Sequence, residues 1–378
     1  MRILTVSAFF ETHGGGIEIV AGALASALAQ RGHDSRLTGA AFDAAPMDKS
    51  ITAVPLPAYD PVERHLGIPM PIPTKKGRHQ LALEVAAADA IIIHDSLYVS
   101  SILAARTAAK LRKPWVLIQH IGAIPYSSAV MRTTLAAANL FITRNMLHQA
   151  MQAVFISDVV RRHFDGVQYR RRPVLMFNGV DKLLFRPARP GEKVAAQSEF
   201  GLRVGCALRL LFVGRFVEKK GLAALRALAA SRPDYELILV GNGPLDPTIW
   251  NLKNVRLLGR RSREELARLY RACDALVLPS VGEGFPLVVQ EALASGLPVY
   301  CGHDSAAADP GATPYLHGIS VDPNNPAETA QNLQNAIDAN PPSNRKAAAA
   351  YASGRYDWDI NAKEIEAMIS VARGQATE

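Results

Sequence analysis

Residues 275–291 read ALVLPSVGEGFPLVVQE, and this stretch decides the fold class. Its first four residues are apolar, as expected of a strand that is buried on both faces of a parallel sheet. A glycine-containing turn follows, and the apolar run from Leu287 predicts a helix. Pro286 is predicted in the first turn of that helix, where a missing N–H does no harm. A strand that leads through a turn into a helix is the repeating half of a doubly wound α/β sheet.

The same alternation of short apolar runs and longer helical stretches continues in both directions along the chain. It predicts two Rossmann-like, doubly wound α/β domains that face a cleft. The predicted strands are Ile3–Ser7, Ala90–His94, Trp115–Gln119, Val154–Ser157, Leu208–Val213, Glu236–Val240, Val255–Leu258, Ala275–Leu278 and Pro298–Cys301. The predicted helices are Ile17–Gln30, Val99–Lys110, Ser127–Gln149, Leu222–Ala230, Arg263–Ala272, Leu287–Ser295 and Asp359–Val371.

Length and two irregular segments set the predicted organisation. A chain of 378 residues suggests two domains. We predict an N-terminal domain of residues 1–182 and a C-terminal domain of residues 183–358, with the helix in 359–378 packing back on the first. The polar segment Pro187–Gly205 is interpreted as a linker region. Residues 55–73, with six prolines, are interpreted as a long surface loop without regular elements.

Composition excludes several classes of protein. With 49% hydrophobic residues, the chain is not disordered. Three cysteines without paired or metal-type spacing favour a reducing cytosol over a secreted disulfide scaffold. The opening residues, MRILTVSAFF, read as a strand and not as a signal peptide. The longest uncharged stretch, Pro114–Met131, contains prolines and polar residues that suit a membrane span poorly. We therefore expect a cytoplasmic protein that does not cross a membrane.

Positive charge is concentrated in the front half of the chain. The formal net charge is +8, of which residues 1–182 contribute +7 (20 Lys+Arg, 13 Asp+Glu) and residues 183–378 contribute +1 (22 and 21). Basic clusters occur at 75–78, 106–113 and 161–172. One interpretation is solvated loops and helix ends; the other is attraction to an anionic membrane leaflet. Basic and aromatic residues do not interleave in a nucleic-acid-binding pattern, so no nucleic-acid partner is expected.

Two segments of the second half are candidates for anion binding. The loop 214–221, GRFVEKKG, follows a predicted strand, and Arg215 and Lys220 can both point at one polyanion. The alternative is a solvated basic loop. In the opening stretch, Glu283 precedes the predicted helix and Glu291 lies about two turns inside it. Between them, the backbone amides of Gly284, Phe285 and Leu287 lie at a helix N-terminus, which favours anions.

The first half offers two weaker candidates. Gly15 and Gly16 lie in a strand-to-helix turn, where a ligand can approach the backbone, although a simple tight turn is the alternative. The pattern differs from the GxGxxG dinucleotide fingerprint. His120 ends a predicted strand and is suited to proton handling near neutral pH, although a lone histidine is more often structural. His94 and Asp95 end a neighbouring strand and are weaker candidates.

The motifs, taken in order, resemble those of the retaining GT-B-fold glycosyltransferases of family 4, which use nucleotide sugars and share an E-x7-E element. The matching residues are Gly15-Gly16-Ile17-Glu18, His120, Ile156-Ser157-Asp158, Asn178-Gly179-Val180-Asp181, Phe185-Arg186-Pro187, Gly214-Arg215 with Lys220-Gly221, Val240-Gly241-Asn242-Gly243-Pro244, Leu258-Gly259, Leu269-Tyr270 with Asp274, and Glu283 with Glu291 followed by Gly296-Leu297-Pro298-Val299. Pro286 is a departure, because the family often has glycine there.

The resemblance implies a role for each candidate in the transfer of a hexosyl group from a UDP- or GDP-sugar donor. Arg215 and Lys220 would hold the donor diphosphate. Glu291 would bind the ribose, Glu283 would bind the donor sugar, and the backbone near Arg260 would contact the base. His120 would lie near the reacting sugar. The diphosphate would also accept hydrogen bonds from the backbone amides of Gly15, Gly16, Gly284, Phe285 and Leu287. No Asp-x-Asp metal element is identified, and no metal or other cofactor is expected.

The N-terminal domain would take the acceptor, a glycan or a lipid-linked sugar. Its charge surplus adds a possible anionic membrane surface as a partner, so we expect a peripheral position on the inner face of the membrane. One alternative is a catalytically inactive sugar-nucleotide-binding protein of the same fold. A nicotinamide-dependent oxidoreductase is a further alternative, but it lacks both the glycine fingerprint and an acidic residue for the ribose.

Overall fold

The structure, a computed structural model, describes residues 1–46, 48–61, 70–123, 128–343 and 345–375. The chain forms two compact units, one of Met1–Gly179 with Trp358–Glu378 and the other of Val180–Asp357. Each unit is built around a parallel sheet with helices on its faces, which confirms the predicted doubly wound α/β class.

The sheet of the first unit contains seven parallel strands in the order β3-β2-β1-β6-β7-β8-β9. Its strands are β1 (Arg2–Val6), β2 (Asp34–Ala40), β3 (Thr52–Leu56), β6 (Ala90–His94), β7 (Trp115–Gln119), β8 (Gln152–Phe155) and β9 (Val174–Leu175). The central strands β6 and β7 are buried along their whole length, as their continuous apolar runs predict. The strand order reverses direction between β1 and β6, so the loops that follow these two strands diverge there.

Helices cover both faces of this sheet. They are α1 (Gly16–Gln30), α2 (Lys75–Ala87), α3 (Val99–Lys110), α4 (Ala129–Ala138), α5 (Arg144–Gln149), α6 (Asp158–His163) and the C-terminal α14 (Trp358–Gln375). Helices α2, α3, α5 and α6 contribute to one buried cluster, and α1 and α14 contribute to the cluster on the opposite face. The guanidinium of Arg31 donates two hydrogen bonds of 2.7 Å to Glu366, which ties α14 to the end of α1.

Part of the proline-rich segment is regular, so the prediction of an irregular loop over all of 55–73 was wrong. Pro55 lies inside β3, an edge strand that pairs only with β2. A short antiparallel pair follows, β4 (Ala58–Tyr59) with β5 (Ile72–Pro73). Proline is tolerated in edge strands because its missing N–H is not needed by a second neighbour. The middle of the segment, 62–69, lies outside the described residues.

The second unit repeats the same winding with six parallel strands in the order β12-β11-β10-β13-β14-β15. They are β10 (Leu208–Val213), β11 (Tyr235–Val240), β12 (Val255–Gly259), β13 (Ala275–Leu278), β14 (Val299–Gly302) and β15 (Leu316–Ile319). The described helices are α7 (Glu192–Glu199), α8 (Leu222–Ser231), α9 (Arg263–Ala272), α10 (Leu287–Ala294), α11 (His303–Ala306), α12 (Pro326–Ala339) and α13 (Arg345–Arg355). Here the strand order reverses between β10 and β13.

Helix α7 corrects the prediction that Pro187–Gly205 is a linker region. The segment lies within the second unit, and its helix packs on α9. The amide of Gln197 donates to the Ala272 carbonyl at 2.9 Å, and Glu199 pairs with Arg268 at 3.0 Å. Only Ala196 of α7 is buried, because the helix is held mainly by polar contacts. Its sequence therefore lacks the apolar periodicity from which a helix is predicted.

No helix in the described ranges is long and apolar enough to cross a membrane.

Candidate functional site

The loops that follow β10 and β13 in the second unit touch each other where the strand order reverses. The backbone amide of Val281 donates to the Lys219 carbonyl at 3.0 Å. Gly221 has φ +73°, and a Cβ there would lie 2.1 Å from the Pro279 carbonyl oxygen. Glycine is therefore required at 221, because no side chain fits between the two loops. The contact fixes the position of Lys220 relative to the loop that carries Glu283.

A third loop, after β11, supports the chain around Arg215. The amide of Phe216 donates to the Asn242 carbonyl at 2.8 Å. A Cβ on Gly241, at φ +140°, would lie 1.9 Å from the Gly214 carbonyl oxygen. The 240–244 motif of the sequence therefore acts through its backbone, by letting this loop approach the one that bears Arg215.

Lys220 and Glu283 form an ion pair in the centre of this loop cluster. The Lys220 Nζ lies 3.1 Å from Glu283 Oε1, and both side chains are about 15% exposed (14% and 15%). The neighbouring Lys219 lies 3.6 Å from the same oxygen but is 50% exposed. Arg215 is exposed, and the described residues give its guanidinium no ion pair. The cluster thus presents one partly buried, paired cation and one open cation.

The N-terminus of α10 opens beside this pair. Pro286 is extended (φ −61°, ψ 136°) and precedes the first helical residue, Leu287. The prediction that Pro286 lies in the first helical turn was therefore off by one position. The amides of Gly284 and Leu287 make no hydrogen bond within the described residues, as is usual at a helix start. The Phe285 ring is buried, with its centroid 5.8 Å from that of Tyr356, and it anchors this turn.

Glu291 lies on α10, partly buried, and contacts Tyr270, which the sequence offered only as part of the Leu269-Tyr270 match. The Tyr270 hydroxyl lies 3.2 Å from Glu291 Oε2 and donates to it. Burial raises the pKa of the Glu291 carboxyl to about 7, although the nearby charge of Arg263 partly opposes this. The carboxyl is therefore partly protonated at neutral pH when no ligand is bound.

We expect Glu291→Gln to stabilise the protein at about pH 8 and to leave its stability at about pH 4 unchanged. Because folding raises this pKa from 4.5 to about 7, the folded state binds more protons between these values, and wild-type stability falls as pH rises through that window. Glutamine removes the titration. Thermal unfolding of both proteins across the pH range measures the difference; a gap that does not change with pH would contradict the assignment.

Arg260 lies at the same edge of the second sheet. It follows Gly259, whose carbonyl accepts the amide of Gly241 at 2.9 Å. The backbone at 260 is therefore next to the loop that supports Arg215, and the Arg260 side chain is exposed. The structure thus gathers Arg215, Lys220, Arg260, Glu283, Gly284, Phe285, Leu287 and Glu291 in loops and a helix start at the carboxyl ends of neighbouring strands.

In the first unit, a carboxyl group lies over the glycine turn at the start of α1. Glu18 is 4% exposed, and its Oε2 would lie 2.1 Å from a Cβ placed on Gly15. Burial raises the pKa of Glu18, while its own backbone amide stabilises the charged form. The Glu18 carboxyl therefore occupies the space beside Gly15 that a side chain at this position would need. The Glu at the third helical position is a helix-start signal that sequence reasoning did not use.

His120 is buried next to His94, because β6 and β7 are neighbours in the sheet. The His120 Nε2 lies 3.0 Å from His94 Nδ1. Burial lowers the pKa of His120 to about 3 and the pKa of His94 well below 6.5, so both rings are neutral at neutral pH. In this structure His120 is a neutral, hydrogen-bonded ring.

Asp95 belongs to the same group of buried side chains. It has φ +60°, an uncommon backbone conformation for a residue with a Cβ. Its Oδ2 accepts the amide of Ile121 at 3.2 Å, and burial raises the pKa of its carboxyl to about 6. This contact holds the chain directly after His120.

No group of three or more metal-type ligands occurs within the described ranges. One Asp-x-Asp pattern does occur, at 357–359, and it was overlooked in the sequence. Its two carboxylates point to different partners: Asp357 pairs with Lys182, and Asp359 pairs with Arg31 at 2.9 Å and Lys363 at 2.6 Å. The pattern is engaged in structural ion pairs.

Two protein-family models match this chain, and the first ends close to the boundary between the two compact units. Residues 14–182 match the family described as Glycosyltransferase Family 4, and residues 205–354 match Glycosyl transferases group 1. The chain is 32% identical over 214 residues to D-inositol 3-phosphate glycosyltransferase of Corynebacterium kroppenstedtii, a match that covers 50% of this chain and 45% of that protein. The chain spans about half the length of the curated relatives it matches (45%, 49% and 49% for three of them).

Solved structures share the fold over nearly the whole chain. Sucrose-phosphate synthase from Thermosynechococcus elongatus superposes with a TM-score of 0.75 at 21% identity and covers 99% of this chain and 100% of its own. HepE of Anabaena, in complex with UDP and glucose, superposes with a TM-score of 0.70 at 20% identity, over 98% of this chain and 99% of its own. At these identities the likeness concerns the fold.

Proposed function

We propose a function for this chain from its family: it belongs to the GT-B-fold glycosyltransferases of the family 4 type. In this proposal it moves a hexosyl group from a nucleoside-diphosphate sugar to a glycan or lipid-linked acceptor, with retention of configuration. One observation carries the proposal. In the second unit, an open arginine, a partly buried Lys–Glu pair and the free amides of a helix start lie together where the strand order reverses. That combination suits a sugar diphosphate.

Charge stabilisation is the main catalytic contribution in this proposal. When the glycosidic bond breaks, negative charge develops on the departing diphosphate, and the sugar acquires oxocarbenium character. Arg215 and Lys220 neutralise the charge on the diphosphate, together with the amides of Gly284 and Leu287. Glu283 orients Lys220 at 3.1 Å and accepts hydroxyl groups of the donor sugar. This assignment requires no metal or other cofactor.

The remaining residues position the nucleoside and the reacting sugar. Glu291 accepts the ribose hydroxyls, and the backbone near Arg260 contacts the base. HepE, a structure of the same fold, holds UDP, and the donor proposed for this chain is a UDP- or GDP-sugar. His120, neutral and held by His94, acts as a positioning residue near the sugar. Retention then proceeds by front-side attack, with the departing phosphate accepting the proton of the acceptor.

The first unit is the proposed acceptor side. It carries a net charge of +5, with +7 in residues 1–179 and −2 in residues 358–378, and this excess attracts an anionic lipid surface. We assign the protein to the cytoplasm, with peripheral binding to the inner face of the membrane, and to the synthesis of a cell-surface polysaccharide or glycolipid.

A thermal-shift panel of nucleotides tests the donor assignment. A nucleoside diphosphate at about 100 times its Kd stabilises the native state by about 2.7 kcal/mol, so UDP or GDP is expected to raise the apparent Tm. NAD is expected to leave it unchanged. The Arg215→Ala variant, which keeps the fold, is expected to lose most of the shift. A panel in which neither UDP nor GDP raises the Tm would contradict the proposal.

Turnover separates catalysis from binding alone. With the nucleotide that gives the shift, the matching UDP- or GDP-sugar is expected to be consumed in the presence of acceptor or, more slowly, water. A clear thermal shift together with a donor that stays intact would instead indicate the alternative, a catalytically inactive sugar-nucleotide-binding protein.

A further inference from the structure

The first unit exposes an apolar helical face. Helix α4 contains no buried residue, and it continues into a π-helical turn over Asn139–Thr143. Three large apolar side chains on this run are highly exposed: Val130 by 75%, Leu140 by 57% and Phe141 by 73%. Leu140 and Phe141 are neighbours in the chain, and large apolar side chains that are exposed together mark interaction sites more often than isolated ones do. We call the surface formed by these three residues the α4 face.

The opposite side of the π turn is held firmly by a buried hydrogen-bond network. Asn139 donates to the Gly122 carbonyl at 2.9 Å, and Thr143 donates to Asn139 Oδ1 at 3.0 Å. Thr143 in turn accepts a hydrogen bond of 2.8 Å from Ser96. Because this network fixes the inner side of the turn, Leu140 and Phe141 are directed outward by the local backbone.

Arginines lie beside the α4 face on the same side of the sheet. Helices α5 and α6, which follow it in the chain, pack on one face of the first sheet. Residues 128–172 contain seven arginines and two aspartates, a net charge of +5. Asp158 is paired with Arg161 at 2.7 Å and with Arg162 at 2.5 Å, while Arg132, on α4 itself, is exposed. The guanidinium of Arg144 reaches the Asp165 carbonyl at 3.1 Å, so the basic segment lies next to α5.

We propose that the α4 face docks on an anionic phospholipid bilayer. The apolar side chains would enter the boundary between headgroups and acyl chains, and the arginines would contact lipid phosphates. A second copy of the chain is a poorer occupant, because it would bring two surfaces of charge +5 together. The inference rests on the membrane-surface part of the proposed function and is independent of the donor chemistry.

Docking through this face has a consequence for the acceptor. Asn139, next to Leu140, is bonded to the carbonyl of Gly122, two residues after His120. The membrane would therefore lie close to the loop that follows β7. A lipid-linked acceptor would reach the first unit without leaving the bilayer.

Sedimentation of the full chain with vesicles tests the inference. Binding is expected with phosphatidylcholine vesicles that contain phosphatidylglycerol, and not with phosphatidylcholine alone, and high salt should release it. Leu140→Ser with Phe141→Ser is expected to weaken binding at least tenfold. Arg132→Ser with Arg144→Ser, which removes one arginine on α4 and one directly after the π turn, is expected to weaken it about thirtyfold, at about 1 kcal/mol for each arginine.

Matched variants elsewhere in the same unit control for lost apolar surface and lost charge. Leu83→Ser removes a side chain that is 57% exposed on α2, and Arg106→Ser with Lys110→Ser removes two charges on α3. Both should bind vesicles within about twofold of wild type. All variants should keep the nucleotide-induced thermal shift, which separates this test from failure of the donor assignment. The inference is overturned if the α4-face variants bind like wild type, or if wild type is a dimer that Phe141→Ser dissociates.

Discussion

Arg215→Ala and Lys220→Ala are each expected to lower kcat/KM for sugar transfer by about 10²- to 10³-fold. Each removes a cation that would stabilise charge developing on the departing diphosphate, and loss of one such group typically costs this much. Lys219→Ala is the matched control, because this neighbouring lysine is 50% exposed and lies farther from Glu283, at 3.6 Å. It is expected to change the rate by less than about threefold. Initial rates with the nucleotide sugar identified in the thermal-shift panel measure all three.

The arginine variant keeps this prediction falsifiable if the lysine variant unfolds. Lys220→Ala leaves Glu283 without its 3.1 Å partner, and such a loss destabilises a buried carboxylate. Arg215 is exposed and has no such partner among the described residues, so its removal should leave the Tm unchanged. A normal rate in Arg215→Ala would show that this side chain does not act on the diphosphate.

Gly221→Ala is expected to destabilise the protein by about 3 kcal/mol and to abolish the nucleotide-induced thermal shift. About 1 kcal/mol comes from placing a Cβ at φ +73°, and about 2 kcal/mol from moving the Pro279 carbonyl, which would lie 2.1 Å from that Cβ. The shift is lost because the displaced loop carries Lys220. Urea unfolding measures the first effect, and the UDP and GDP panel measures the second.

Gly205→Ala is the control for backbone conformation alone. Gly205 has φ +74°, and a Cβ there would meet nothing within 4 Å. It is expected to cost about 1 kcal/mol and to leave the nucleotide shift intact. Equal losses in the two variants would mean that the contact between the loops after β10 and β13 is not what positions Lys220.

Local patterns predicted most of the elements that build both sheets. The bounds of Val99–Lys110, Trp115–Gln119 and Arg263–Ala272 agree with the structure to the residue. Trp115–Gln119 is largely a continuous apolar run, and α9 has a clear start signal, the capping box at Ser262. Helix α7 was missed because its stability comes from polar contacts with α9, and those partners are distant in sequence.

In the candidate site, too, local patterns predicted some features, and others depend on residues that are distant in sequence. Arg215, Lys220, Glu283 and Glu291 were proposed from residue type and position at strand ends, and the structure gathers them in one unit. The hydrogen bond between Tyr270 and Glu291 and the contact of His94 with His120 depend on which strands and helices are neighbours. No periodicity in the sequence reports these pairs. The same is true of Glu18, whose carboxyl folds back over Gly15.

The sequence by itself determined the alternation of strands and helices and the residue types at the strand ends, because periodicity, turn chemistry and helix starts are local properties. Only the tertiary structure decided the strand order, the buried pairs and the exposed α4 face. It also decided the protonation states: the raised pKa of Glu291 and the lowered pKa of His120 both result from burial. Burial depends on elements that are far apart in the chain and meet only when the sheets assemble.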